Sequence, residues 1–242
     1  MSRTVFKIGF YWGVRPASLP SSAREAQAFL SQLRGVLPGL GSWSVLTVAG
    51  GAPAACSSEA QVAARLAAGE QKYKLGAHEG TFYKERFFSP QEPRTGCTMT
   101  LGLTLDSDAV WFRNSVELEI PDSRALRAAA PAAFVETFRI GAASFHPRWG
   151  ILATEQQGVT FPSIASPSLG EAAVGWMSYL SAELGAVPPL PPPAQVIPLG
   201  KMGSVVLARP FPWDTDVEAH RDSVTTVRAA LKAAGLLEPL LK

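Results

Sequence analysis

Large apolar side chains alternate with smaller or polar ones near the start of the chain, where Phe6, Ile8, Phe10 and Trp12 take every second position. That period puts four bulky groups on one face of a β-strand and predicts a strand from the middle of a sheet. Gly13 and Pro16 end it. Ser22 and Glu25 stand at capping-box spacing, and Ala26, Phe29, Leu30, Leu33 and Leu37 recur at helical steps up to Pro38 and Gly39. Residues 43–49 form a short, nearly continuous apolar run that suits a buried strand. Ser57 or Ser58 is placed to cap a second helix, with Val62 and Leu66 inside and Gly69 as its stop.

The clearest alternation comes next. Met99, Leu101, Leu103 and Leu105 interleave with Thr98, Thr100, Gly102 and Thr104; Val116, Leu118 and Ile120 interleave with Ser115, Glu117 and Glu119. Paired antiparallel, these two strands have one apolar and one polar face. Residues 81–88 read as a further strand, interrupted by Lys84, Glu85 and Arg86. Asp122 is placed to cap a short helix running to Ala130, and Pro131 to open another that carries Phe134, Val135 and Phe138. Residues 150–154 and 159–164 read as short strands, and Ser168 with Glu171 as the capping box of a helix striped by Val174, Met177, Leu180 and Leu184. The proline-rich stretch 187–193 predicts an extended strap. Strands at 195–199 and 204–208 follow, joined by a turn. Asp214 or Asp216 then caps a final helix with Val224, Val227 and Leu231 inside and Gly235 at its end. The sum is an α+β fold: a mainly antiparallel sheet flanked by four to six helices, in one compact domain spanning residues 1–242.

Composition narrows the function classes. With 47% hydrophobic and 17% charged residues, the 242-residue chain has material for a sizeable core and does not have the composition of a disordered protein. A net charge of +2 offers no general attraction for nucleic acid or an anionic membrane surface. No apolar stretch approaches the ~20 residues that span a bilayer, and the N-terminus lacks a secretory pattern. The expectation is a cytoplasmic protein with no cofactor, no nucleic-acid partner and no membrane partner. Cys56 and Cys97 are far apart and outside any metal-ligand spacing, so free thiols are expected.

Catalytic signatures are missing from the linear sequence. There is no Gly-x-Ser-x-Gly elbow, Gly200-Lys201 lacks the rest of a phosphate loop, and His78-Glu79 lacks the second His of a helical zinc site. His146 and His220 are isolated. An acidic group does stand out: Asp106, Asp108, Glu117, Glu119 and Asp122, with Arg113 the only cation among them. It reads as a solvated sheet face or as an acidic docking surface for a basic partner. Trp12 shares the apolar face of its strand and reads as core, whereas Tyr11, Arg15, Trp111 and Arg113 are of the residue types that dominate interface hot spots. The candidate contact set is therefore Tyr11, Arg15, Asp106, Asp108, Trp111, Arg113, Glu117 and Glu119, with no catalytic and no metal-binding set. Two rival readings stand beside a binding protein. One is a small hydrolase or transferase assembled from distant residues such as Cys97 or His78 with an acid; the other is a non-catalytic subunit of another complex.

The run Phe10-Tyr11-Trp12-Gly13-Val14-Arg15-Pro16 and the Ser-rich helix start after it resemble the immunity protein 52 family of bacterial polymorphic-toxin systems. So do Val196-Ile197-Pro198-Leu199-Gly200, Gly203-Ser204-Val205-Val206-Leu207 and the ending Ala233-Ala234-Gly235-Leu236-Leu237. Ala17-Ser18 stands where that family usually has an acidic residue and a serine. The resemblance implies a non-enzymatic protein that binds and neutralises a cognate toxin, in several cases a nuclease with a restriction-endonuclease-like fold. It would give the acidic stretch 106–122 a role against a basic nuclease groove.

Overall fold

The computed structural model describes residues 5–15, 17–46, 53–75, 78–89, 96–106, 113–154 and 172–237, with the backbone alone at 46, 73–75, 78–79, 106 and 113. Eleven strands form one sheet: β1 (Val5–Gly13), β2 (Ser44–Leu46), β3 (Pro53–Ala55), β4 (Glu70–Leu75), β5 (His78–Phe88), β6 (Thr98–Asp106), β7 (Arg113–Pro121), β8 (Trp149–Thr154), β9 (Met177–Ser181), β10 (Gln195–Pro198) and β11 (Gly203–Leu207). The helices are α1 (Leu19–Leu33), α2 (Glu59–Ala68), α3 (Arg124–Ala129), α4 (Ala132–Phe145) and α5 (Glu218–Ala233). Strand order is β10-β11-β9-β8-β1-β7-β6-β5-β2-β3, with β4 paired to the other end of β5. Each described pairing is antiparallel. β1 lies near the middle, as its alternation predicts, between β7 and β8.

The sheet has two unlike faces. On the first, Phe6, Ile8, Phe10 and Trp12 join Phe29, Leu30 and Leu33 of α1 and Phe134, Phe138 and Phe145 of α4 in the main core. Phe10 meets Phe29 and Phe138 edge-on at 5.9 and 5.5 Å. Gly141 lets α4 come this close, because a Cβ there would lie 2.3 Å from the Phe10 ring. The second face is covered over only part of its width. Val227 and Leu231 of α5, with Leu236 and Leu237 after it, pack on Trp149, Ile151, Leu180 and Val206. At roughly 2 kcal/mol for each buried aliphatic side chain, that contact suffices to hold α5 down. On β7, β6 and β5 the second face is uneven: Gly102, Thr104 and Ser115 are buried, whereas Lys84 and Arg86 are exposed.

Several local expectations shift. α1 begins earlier than Ser22: Ser18 is the N-cap and exchanges a capping box with Ser21, while Ser22 is buried. Ser58 caps α2 as expected, with Gln61 completing the box. Ser123 rather than Asp122 caps α3, since Asp122 is held by Arg127. α5 starts after Val217 with no side-chain cap; Asp214 instead accepts from the Asp216 amide at 2.9 Å. The largest correction falls on 174–184, predicted helical. Met177–Ser181 is the buried strand β9, in the sheet between β8 and β11. A strand covered on both faces shows no alternation, and its apolar residues happened to fall at helical steps. The expected strand at 159–164 and capping box at 168–171 lie outside the described residues. Residues 185–191 have neither helix nor strand, and Val187 and Leu190 pack half-buried against the second-face core.

Candidate functional site

The polar half of the second face is built by register. Lys7, Gly9 and Tyr11 of β1 face Glu119, Glu117 and Ser115 of β7, which in turn face Thr98, Thr100 and Gly102 of β6. Arg86 and Lys84 of β5 complete the rows beside Thr100 and Gly102. Alternation along four adjacent strands thus gathers polar residues on one side.

Two carboxylates on this face, two residues apart, are in opposite conditions. Glu119 is saturated: Lys7 and Arg86 each lie 3.4 Å from its oxygens, and the Thr98 hydroxyl donates at 3.2 Å. Glu117 accepts one hydrogen bond, from the Tyr11 hydroxyl at 3.3 Å to Oε1. Among the described residues no cation stands within ion-pair distance of it. Burial holds its carboxyl above the ordinary carboxylate value; the Tyr11 bond and the more distant Lys84 and Lys7 oppose that shift. Ser115, two positions along the same face, is buried and its Oγ has no hydrogen-bond partner.

Tyr11 is positioned by its surroundings. Its ring stacks on Trp149 at 4.8 Å, lies over Gly9 and is fully buried. The expectation that Tyr11 stands free of the core is therefore corrected: its side chain is buried in the second-face core, with its hydroxyl on Glu117. Arg15 is elsewhere, pairing with Glu25 at 3.3 Å and lying 5.5 Å over the Trp12 ring. Glu117 and Glu119 share one surface as predicted. The β6 end at Asp106 and the β7 start at Arg113 are described by backbone alone, and Asp108 and Trp111 lie outside the described residues. Asn114 ties this end together: its Oδ1 accepts from the Thr104 amide at 2.5 Å and its Nδ2 donates to Gly13 at 3.2 Å, bridging β6 to β1. Lys7, Lys84 and Arg86 were missed by sequence reasoning, because the cations belong to strands remote from 106–122 in sequence. With them, the described part of this face carries both signs.

Of the other reactive groups, His220, Asp214 and Asp216 line one cavity of about 440 Å³ with Arg127, Thr154 and Trp213, while the cysteines and His146 lie elsewhere. Cys56 and Cys97 are buried free thiols; burial raises the first to about 11 and pushes the second further up. His146 ends α4 in a left-handed conformation (φ 43°), and the His220 Nδ1 accepts from the Asp214 amide. Among the described residues no three His, Cys, Asp or Glu side chains converge as metal ligands. No described helix is long and apolar enough to cross a membrane.

The model of the immunity protein 52 family matches residues 116–240, just over half of the chain. The chain belongs to the immunity protein 52 family. That match takes in β7, α4 and α5 but begins after the β1 segment. A likeness that reaches the whole chain comes from a solved structure, a Pseudomonas aeruginosa T6SS protein: TM-score 0.57 at 12% identity, over 98% of this chain and 77% of that one. At that identity the likeness concerns the fold. No curated protein sequence matches the chain. As an immunity protein 52 member, the chain falls in the broad class of immunity proteins.

Proposed function

We propose that this protein is a cytoplasmic antitoxin that binds one cognate polymorphic toxin and neutralises it stoichiometrically, with no chemical step of its own. The family match over residues 116–240 carries the reading. The likeness to a T6SS protein agrees with a toxin delivered by type VI secretion. The mixed-charge rows of Lys7, Glu117, Glu119, Lys84 and Arg86, exposed at the β5 margin, supply a surface on which a protein can dock. A nuclease toxin fits the family resemblance. The balance of Lys7, Lys84 and Arg86 against Glu117 and Glu119 argues for a surface that blocks the toxin by shape and paired charges rather than by imitating a polyanion.

Co-expression tests this. Cells producing the toxin domain encoded beside this gene should survive when this chain is produced with it. They should also survive with a folded variant carrying His78→Gln, His146→Asn, His220→Gln, Cys56→Ala and Cys97→Ala. Death of cells carrying that variant would favour the hydrolase or transferase reading.

A further inference from the structure

The cavity of about 440 Å³ beside the start of α5 has the size of a ligand site, larger than a single side chain fills. Its walls come from segments far apart in sequence: Phe6 of β1, Arg127 of α3, Thr154 of β8, the turn 211–216 and His220 of α5. Phe6 and Thr154 are buried and Phe211 and Trp213 half-buried, which makes a largely aromatic floor. Pro212, Asp214, Asp216 and Arg127 are exposed and mark the mouth. The acidic side of that mouth is held in shape. Trp213 is fixed in its aromatic stack, the Asp214 amide donates to His220 Nδ1 at 3.1 Å and the Asp216 amide to Asp214 Oδ1 at 2.9 Å, and Arg221 donates to the Thr215 carbonyl. Charge is met unevenly around it. Arg127 is paired with Asp122. The Asp216 carboxylate accepts no described hydrogen bond, that of Asp214 only the Asp216 amide, and among the described residues neither has a cation within ion-pair distance. Glu119, by contrast, is answered by Lys7 and Arg86. Two exposed carboxylates alone are an ordinary solvated pair; the aromatic hollow beneath them gives them something to orient.

Resting on the immunity reading above, we infer that this cavity receives a loop of the toxin that carries a lysine or arginine. The aliphatic stem of that residue covers the Phe211 and Trp213 rings, and its cationic head stands between Asp214 and Asp216. Displacing water from the aromatic floor supplies affinity, and the two carboxylates select a cation and quicken encounter. An anionic group would meet Asp214 and Asp216 unanswered, while Arg127 is already engaged by Asp122, so the mouth fits a cation. The pinned turn has little freedom left to lose on binding. Apart from Phe6, the lining residues fall within the stretch 116–240 that the family model matches.

The test uses the full chain and the purified, catalytically inactivated toxin domain encoded beside its gene, with affinity measured by calorimetry. The double variant Asp214→Asn with Asp216→Asn removes both charges and keeps the turn, because an amide oxygen at 214 can still accept from the amide of residue 216. It should weaken binding by about 30-fold or more. Glu59→Gln, on α2 beside β5, should change it less than about twofold, and thermal midpoints identify any variant that fails to fold. A second measurement needs no charge variant. With fluorotryptophan incorporated, the fluorine resonances of Trp213 and Trp43 are assigned by their loss in Trp213→Phe and Trp43→Phe. Adding the toxin domain to the unaltered chain should shift the Trp213 resonance and leave in place that of Trp43, which is buried against Leu30 of α1. Affinity within twofold in the folded double variant, or an unmoved Trp213 resonance, overturns the cavity as the docking site while leaving immunity intact. Absence of any binding by the unaltered chain overturns the immunity reading, and the cavity's role with it. A dimer of the free chain that the double variant dissociates would assign the cavity to a second copy and overturn the proposal too.

Discussion

The hydroxyl of Tyr11 reaches Glu117 Oε1 at 3.3 Å across the bare backbone of Gly9, so that two neighbouring strands share one half-buried polar contact at the edge of the α5-covered core. Tyr11 belongs to the apolar half of the face through its stack on Trp149, and Glu117 to the polar half. The pair is the seam between the apolar and polar halves of this face.

Gly9→Ala tests that packing. The new methyl would stand 2.3 Å from the Tyr11 hydroxyl oxygen, so the ring must move off Glu117 and off Trp149. A loss of about 1–3 kcal/mol is expected. Thermal unfolding should show a midpoint lower by several degrees, and near-ultraviolet circular dichroism a changed Tyr–Trp signal.

Glu117 gives stability a pH dependence of definite sign. Its folded carboxyl titrates above the ordinary value of 4.5, so between the two values the folded state binds more protons than the unfolded chain. Its contribution to stability therefore falls as pH rises from about 4.5 through the raised folded value. Glu117→Gln should be at least as stable as the unaltered chain at pH 7 and lose that advantage at pH 4, measured by urea unfolding at both.

Glu85 explains why 81–88 is a strand despite its charges. Lys84 and Arg86 stand exposed on the polar side, while Glu85 turns to α2 and accepts from Arg65 Nε at 3.0 Å, with little exposure of either side chain. Glu85→Ala should cost about 2 kcal/mol. Hydrogen exchange should quicken in α2 and β5 before it does in β8 or β9.

Trp213 is stacked between Phe134 at 5.8 Å and Trp176 at 6.1 Å, meets Phe211 edge-on, and donates from Nε1 to the Arg209 carbonyl. Trp213→Ala should destabilise by about 3–5 kcal/mol. Equilibrium unfolding would reveal it, and a shift below 1 kcal/mol would mean that the stack is not a structural element.

Sequence periodicity was informative where one face of a strand meets water. The β1 row Phe6, Ile8, Phe10 and Trp12, and the opposed alternations of β6 and β7, were legible together with their pairing. β9 was not, because Trp176 to Ser181 is buried on both sides and carries no polar beat. The candidate site was half legible. Glu117 and Glu119 emerged from their own strand, but the cations that answer Glu119 come from β1 and β5, and only the register unites them. Tyr11 misled for a related reason: an odd position on β1 reads as solvent-facing unless α5 is known to close that end of the face.

The central claim is that this chain acts by occupying its toxin. Titrating purified chain into a fixed amount of the active toxin domain encoded beside its gene, and following toxin activity, tests it directly. Activity should fall in proportion to added chain, reach zero near one molar equivalent and stay constant with time at every lower ratio. Complete and progressive loss of activity at a small fraction of an equivalent would mean turnover and would contradict it.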